Sequence, residues 1–129
     1  MSEHVIVWLD HKEARIFQVA PDPRARDVVQ APLHSTHHRH PGSNVAPHPQ
    51  DEQHFFAKLV ALLHGADAVL LVGPSTAKLH FINYVHSKKL AVASHIVGVE
   101  TVDHPNDGQL VAYAQAYFAH GHPTARAVG

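Results

Sequence analysis

The sequence predicts an α/β fold: a mixed sheet of three antiparallel strands followed by two parallel strands added through helical crossovers, in the order β-β-β-α-β-α-β-α. Three observations carry this expectation. The opening run His4-Val5-Ile6-Val7-Trp8-Leu9 has residues suited to both faces of a sheet, as a central strand covered on two sides requires. A short polar break, Asp10-His11-Lys12-Glu13, separates it from a second strand pattern, so the chain must return antiparallel. The short, branched and wholly apolar run Ala68-Val69-Leu70-Leu71-Val72 stops at Gly73-Pro74 between two segments of helical periodicity, which marks a buried parallel strand.

The remaining elements follow in chain order. Ala14 to Val19 supplies the second strand. Pro21-Asp22-Pro23-Arg24 is turn chemistry, and Asp27 to Pro32 a weaker third strand whose Pro32 suits an edge. An exposed edge near Val28 suits pairing with a second copy as a homodimer. From Leu33 to Gln50 the composition turns to Pro, Gly, Ser, Asn and His without apolar periodicity, which predicts an irregular His-rich loop over 33–50. Pro49 suits a first helical turn, and Phe55, Phe56, Leu59, Val60, Leu62 and Leu63 follow at helical spacing up to Gly65.

A second helix is expected from near Ser75, carrying Leu79, Ile82 and Val85 with Phe81 alongside. It ends in Ser87-Lys88-Lys89, whose cations suit a helix C-terminus. A brief helical turn over Ala91 to Ser94 leads to a strand over Ile96 to Val102. The last helix, from Asp107, places Leu110, Val111, Ala114, Tyr117 and Phe118 on one face. Residues 1–120 are expected to form a single domain and 121–129 a flexible tail. With right-handed crossovers, this is the ribonuclease-H-like arrangement.

Bulk properties narrow the function. A chain of 129 residues with 45 % hydrophobic side chains furnishes one core and not two. No apolar run is long enough to cross a bilayer and the start lacks a signal-peptide pattern, so the expectation is a cytoplasmic protein with no membrane partner. The absence of cysteine excludes disulfides, thiolate nucleophiles and Cys-based zinc sites, leaving His and carboxylates for any metal. A net charge of -1 is not the field of a protein that coats DNA, so nucleic-acid binding must be local. Fifteen histidines make the electrostatics pH-sensitive.

Ribonuclease H chemistry requires several carboxylates that converge on two metal ions. Asp10 falls beyond the first strand, the fourth strand ends in Gly73, and Glu100, Asp103 and Asp107 lack evident companions. Asp10 therefore reads as an Asx turn, Asp107 as a cap or turn residue, and no catalytic set is expected. Two chemistries suit the His-rich loop. His34, His37, His38 and His40 offer imidazoles to zinc, nickel or copper, at a spacing that matches no defined finger. Alternatively His37, His38, Arg39 and His40 stack on exposed RNA bases and approach phosphates, with Ser43 adding hydrogen bonds. The plain alternative is a solvated connection of biased composition. Gly73-Pro74-Ser75-Thr76-Ala77-Lys78 lies where a strand turns into a helix and is no P-loop; Lys78 reads either as a phosphate contact or as an ordinary surface lysine.

Several of these stretches taken together resemble a known family: Val7-Trp8-Leu9-Asp10-His11-Lys12-Glu13-Ala14-Arg15, the His-rich loop, Gly73-Pro74 through Lys78, Val97 through Pro105, and Asp107-Gly108-Gln109-Leu110. The resemblance, over about residues 4–119, is to small bacterial translational machinery proteins. These are similar to the middle domain of the eukaryotic and archaeal class 1 release factor and of Pelota. The release factor carries a Gly-Gly-Gln tripeptide in the loop before its first long helix, where it promotes peptidyl hydrolysis. Here that loop contains Pro41-Gly42-Ser43-Asn44 instead, and the one Gly-Gln pair, Gly108-Gln109, opens the last helix.

The resemblance thus implies a non-catalytic protein of the translation machinery, with the ribosome or ribosomal or transfer RNA as partner, no DNA partner and no required cofactor. Two alternatives stay open. One is a His-rich stress-response module binding zinc or nickel; the other is a residual metal-dependent nuclease using Asp10 and Glu100.

Overall fold

Alternation along the opening strand divides its side chains between two layers. β1 (His4–Leu9) sends Val5, Val7 and Leu9 to one face and Ile6 and Trp8 to the other, and all five are at most 1 % exposed. A strand buried on both faces belongs at the centre of a sheet, and β1 lies there. With β2 (Glu13–Ala20), β3 (Arg24–Gln30), β4 (Ala68–Gly73) and β5 (Ile96–Thr101) it forms a five-stranded sheet in the order β3-β2-β1-β4-β5. β1 pairs antiparallel with β2 and parallel with β4; β3 extends the antiparallel side and β5 the parallel side. This is the ribonuclease-H-like α/β order. The computed structural model describes residues 3–20, 22–30 and 49–119. The loop expected over 33–50 lies outside the described residues apart from Pro49 and Gln50, which already belong to a helix, and so does the tail expected over 121–129.

Each face is covered by helices whose apolar spacing matches it. α1 (Pro49–Leu62) and α2 (Ala77–Ser87) bring Phe55, Phe56, Leu59, Phe81 and Val85 onto Val5, Val7, Leu9, Ile16, Val69 and Leu71. α3 (Asp107–Ala119) brings Leu110 and Ala114 onto Ile6, Trp8, Phe17, Leu70 and Val72. Burial of each large side chain here contributes about 1.5–3 kcal/mol, which is why the two-sided strands dominate the core. Gly73 ends β4 because a Cβ there would collide with the Leu9 carbonyl oxygen, so the ends of β1 and β4 abut. Gly98, inside β5, likewise leaves no room for a side chain, since a Cβ there would collide with the Tyr117 hydroxyl. Among the described residues no helix is long and apolar enough to cross a membrane.

The structure corrects three local expectations. β3 starts at Arg24, not Asp27, because its ladder to β2 is a backbone property: Arg24 and Ala25 pair with Gln18 and Phe17 although their side chains are exposed. β3 is an edge strand, with Val29 buried and Val28 59 % exposed. On α2, Leu79 is 49 % exposed and the inward positions are Ala77, Lys78, Phe81 and Val85. The apolar stem of a lysine thus takes a position that hydropathy alone assigns to leucine. Finally, the basic end of α2 is more than dipole chemistry. The Leu90 N–H donates to the Val85 carbonyl (2.9 Å) and the Lys89 N–H to that of His86 (3.1 Å), with Lys89 at φ 56°. That is a Schellman turn with lysine in the position glycine usually takes.

Candidate functional site

The parallel strands end together at one edge of the sheet, where ligands gather in open α/β folds. Three connections meet there: the hairpin turn Asp10-His11-Lys12 after β1, Pro74-Ser75-Thr76 after β4, and Val102 to Asn106 after β5. Asp10 forms the Asx turn expected of it. Its Oδ1 accepts hydrogen bonds from the backbone N–H groups of Lys12 and Glu13, each at 2.8 Å, so the carboxylate closes its own turn. Glu100 stands two strands away, in the row Trp8–Val72–Glu100. It faces Tyr113 and Tyr117 on α3, whose phenols are pushed above their ordinary value, first by burial and then by the Glu100 charge. Among the described residues, no group of three carboxylate or imidazole ligands includes Asp10 or Glu100.

Two side-chain clusters flank this edge. The first lies on the α3 side and follows from hairpin register, which sets Trp8 opposite Arg15. The buried Trp8 ring donates its Nε1–H to the Asp103 carbonyl at 2.9 Å. The Arg15 guanidinium stacks 4.6 Å from the centre of that ring and donates to Asp107 Oδ1 at 2.8 Å and to the Pro105 carbonyl at 3.5 Å. Asp107 is therefore Arg15's partner, and the cap expected of it belongs to Asn106. Asn106 Oδ1 accepts from the Gln109 N–H (2.8 Å) while Gln109 Oε1 accepts from the Asn106 N–H (2.9 Å), a reciprocal capping box. Gln109, the glutamine of the lone Gly-Gln pair, is thereby tied down at a helix start.

The second cluster lies on the α1 and α2 side. His11 comes from the hairpin turn, Glu52 from the first turn of α1, and His80 from α2. His80 Nδ1 is 3.3 Å from Glu52 Oε2, the His11 and His80 rings are 5.5 Å apart at their centres, and His11 Nε2 is 3.5 Å from Thr76 Oγ1. One ligand atom from each of His11, Glu52 and His80 lies within 4.8 Å of the others. Sequence reasoning did not single out these three, because they come from separate elements with no spacing motif between them. A usable signal was the placement of an imidazole directly after the central strand.

Of the residues expected from sequence to bind RNA or metal, only Lys78 is described. It is 6 % exposed and its ammonium donates to the Ser75 carbonyl at 2.7 Å, so it is not an ordinary surface lysine. His34, His37, His38, Arg39, His40 and Ser43 lie outside the described residues. The described residues that flank this stretch adjoin this edge. Gln30, at the end of β3, pairs with Glu13 beside the hairpin turn, and the first turn of α1 carries Glu52 to His80.

No protein-family model matches the chain, and no curated protein matches it in sequence. Solved structures do match. The Pelota protein of Thermoplasma acidophilum superposes with a TM-score of 0.62 at 19 % identity, over 96 % of this chain and 34 % of that one. Pelota of Archaeoglobus fulgidus gives 0.60 at 13 % identity, over 89 % of this chain and 31 % of that one. An archaeal translation termination factor gives 0.54 at 13 % identity, over 87 % of this chain and 33 % of that one. The chain spans about a third of the length of these proteins, and it has the fold that they carry over that third.

Proposed function

We propose that the chain is a non-catalytic, ribosome- or RNA-associated protein of the translation machinery, a small bacterial relative of the release-factor middle domain. The observation that carries this reading is the fold shared with two Pelota structures and a translation termination factor over 87 to 96 % of the chain. Residue chemistry supports it. The described residues on either side of the stretch with His37, His38, Arg39, His40 and Ser43, Gln30 and the first turn of α1, adjoin the carboxyl edge, and imidazole and guanidinium planes suit stacking on unpaired bases and contact with phosphates. Lys78 holds the Pro74-Ser75-Thr76 connection at that edge through the Ser75 carbonyl. The reading has no hydrolytic step: Asp10 is spent on its Asx turn, Gln109 on its capping box, and the chain carries no Gly-Gly-Gln.

Sucrose-gradient sedimentation of the tagged protein from native lysate, at low and high salt, tests this. The wild type is expected to travel with ribosomal particles at low salt and to leave them at high salt, because local cationic contacts to phosphates are screened. Replacing His37, His38, Arg39 and His40 with Ser is expected to reduce co-sedimentation without changing the melting temperature. Protein that stays at the top of every gradient, including those from stationary-phase cells, would refute the reading.

A further inference from the structure

We infer that His11, Glu52 and His80 form a binding site for a divalent transition-metal cation of the zinc class, separate from the histidines of the 31–48 segment. The donor set decides the class. Two imidazoles and one carboxylate suit zinc and its neighbours, whereas magnesium and calcium prefer all-oxygen surroundings. Three protein ligands of this kind leave a fourth tetrahedral position for water or a further ligand.

Geometry supplies the second argument. With metal–ligand bonds of about 2.0–2.1 Å, the ligand atoms of a tetrahedral site stand about 3.3 Å apart. His80 Nδ1 and Glu52 Oε2 already stand 3.3 Å apart, and the whole set lies within 4.8 Å. His11 and Glu52 are half-buried and His80 is exposed, so side-chain rotation closes the remaining gap without disturbing the core. With His11 Nδ1 as the ligand atom, its Nε2–H is left to donate to Thr76 Oγ1, 3.5 Å away, the arrangement by which an outer partner orients a metal-ligating histidine.

The metal-free cluster contributes little by itself. An exposed His–Glu pair stabilises a fold by about 0–1 kcal/mol, and it exists only while a proton lies between the two groups. A cation takes the place of that proton, which leaves to solvent, and joins three elements that the chain otherwise connects through the hairpin, α1 and α2. The bound cation thereby fixes the first turn of α1 against the hairpin turn.

The test is titration calorimetry of the full chain with zinc chloride, in a variant whose His34, His37, His38, His40 and His48 are Ser, so that capture by that segment is removed. A single-site isotherm in this background, weakened at least about 10-fold by His80→Ala and by Glu52→Gln, is the expected result. A rise in melting temperature with zinc, lost in His80→Ala, is expected alongside it. Circular dichroism of each variant without metal confirms that these surface substitutions leave the fold intact. Absence of binding in the loop-substituted protein up to about 100 μM zinc, or an isotherm that His80→Ala leaves unchanged, overturns the assignment.

Discussion

Trp8 and His11 are three residues apart in sequence, and they stand on opposite sides of the same sheet edge with opposite fates. Around Trp8 most polar groups are bonded within the fold, its indole to Asp103 and Arg15 to the indole ring, to Asp107 and to Pro105, while the buried Arg15 Nε makes no hydrogen bond and stands 3.6 Å from Glu13 Oε2. Around His11 the polar groups meet at looser distances, 3.3 Å to 3.5 Å, among side chains that are half-buried or exposed. The difference separates two uses of polarity. A cluster in which most donors and acceptors are bonded by the protein holds the last helix onto the sheet. A cluster of imidazoles and a carboxylate that gain little from one another has capacity left for a ligand.

This contrast is open to measurement, and Trp8 gives the largest expected effect. Trp8→Ala removes the largest fully buried side chain and is expected to cost about 3–5 kcal/mol in denaturant unfolding. A cost under about 1 kcal/mol would mean that the α3 side is not a packed cluster. Arg15→Met keeps an apolar stem over the indole while giving up the hydrogen bond to Asp107, and a loss of about 1–2 kcal/mol is expected from the same experiment. His11→Ala and His80→Ala, without added metal, are expected to change stability by no more than about 0.5 kcal/mol. A larger loss from either would erase the distinction between the two clusters.

The smallest effect concerns α3 and its tyrosines. Burial, and then Glu100, raises Tyr113 and Tyr117 above their ordinary value of 10.0, so the folded protein holds these phenolic protons more tightly than the unfolded chain. The stability this contributes is complete below the ordinary value and is lost as pH rises through the folded values above it. Glu100→Gln is expected to lower both titration midpoints, followed by phenolate absorbance or tyrosine ring resonances. Neither should return to the ordinary value, because burial is the larger cause. Midpoints unmoved by the substitution would show that Glu100 does not act on these rings.

The parts of this molecule that are legible in sequence are those that local pattern controls. β1 spans His4–Leu9 as expected because its two-sided apolar run has no other reading, and the turn near Ala91 and the last helix from Asp107 follow for similar reasons. The pairing of Trp8 with Arg15 was also within reach, since the short hairpin sets its register. Less legible were features in which backbone or tertiary packing overrides side-chain pattern. β3 starts early because an edge ladder needs no apolar residues, and Lys78 displaces Leu79 from the inner face of α2 because its stem packs there while its ammonium donates to the Ser75 carbonyl. The Asn106–Gln109 box was visible as Asn-x-x-Gln, but the neighbouring acid drew the cap assignment to Asp107. The cluster of His11, Glu52 and His80 is a product of topology and has no sequence motif.

Hydrogen exchange measured with and without purified ribosomes shows whether the proposed partner meets the chain at the carboxyl edge. Slower exchange on binding is expected in residues 31–48, in the Asp10-His11-Lys12 turn and in Pro74-Ser75-Thr76, with unchanged exchange at the opposite edge, where Ala20 and Ala68 flank the start of β1. Protection confined to that opposite edge, or no protection anywhere, would contradict this placement.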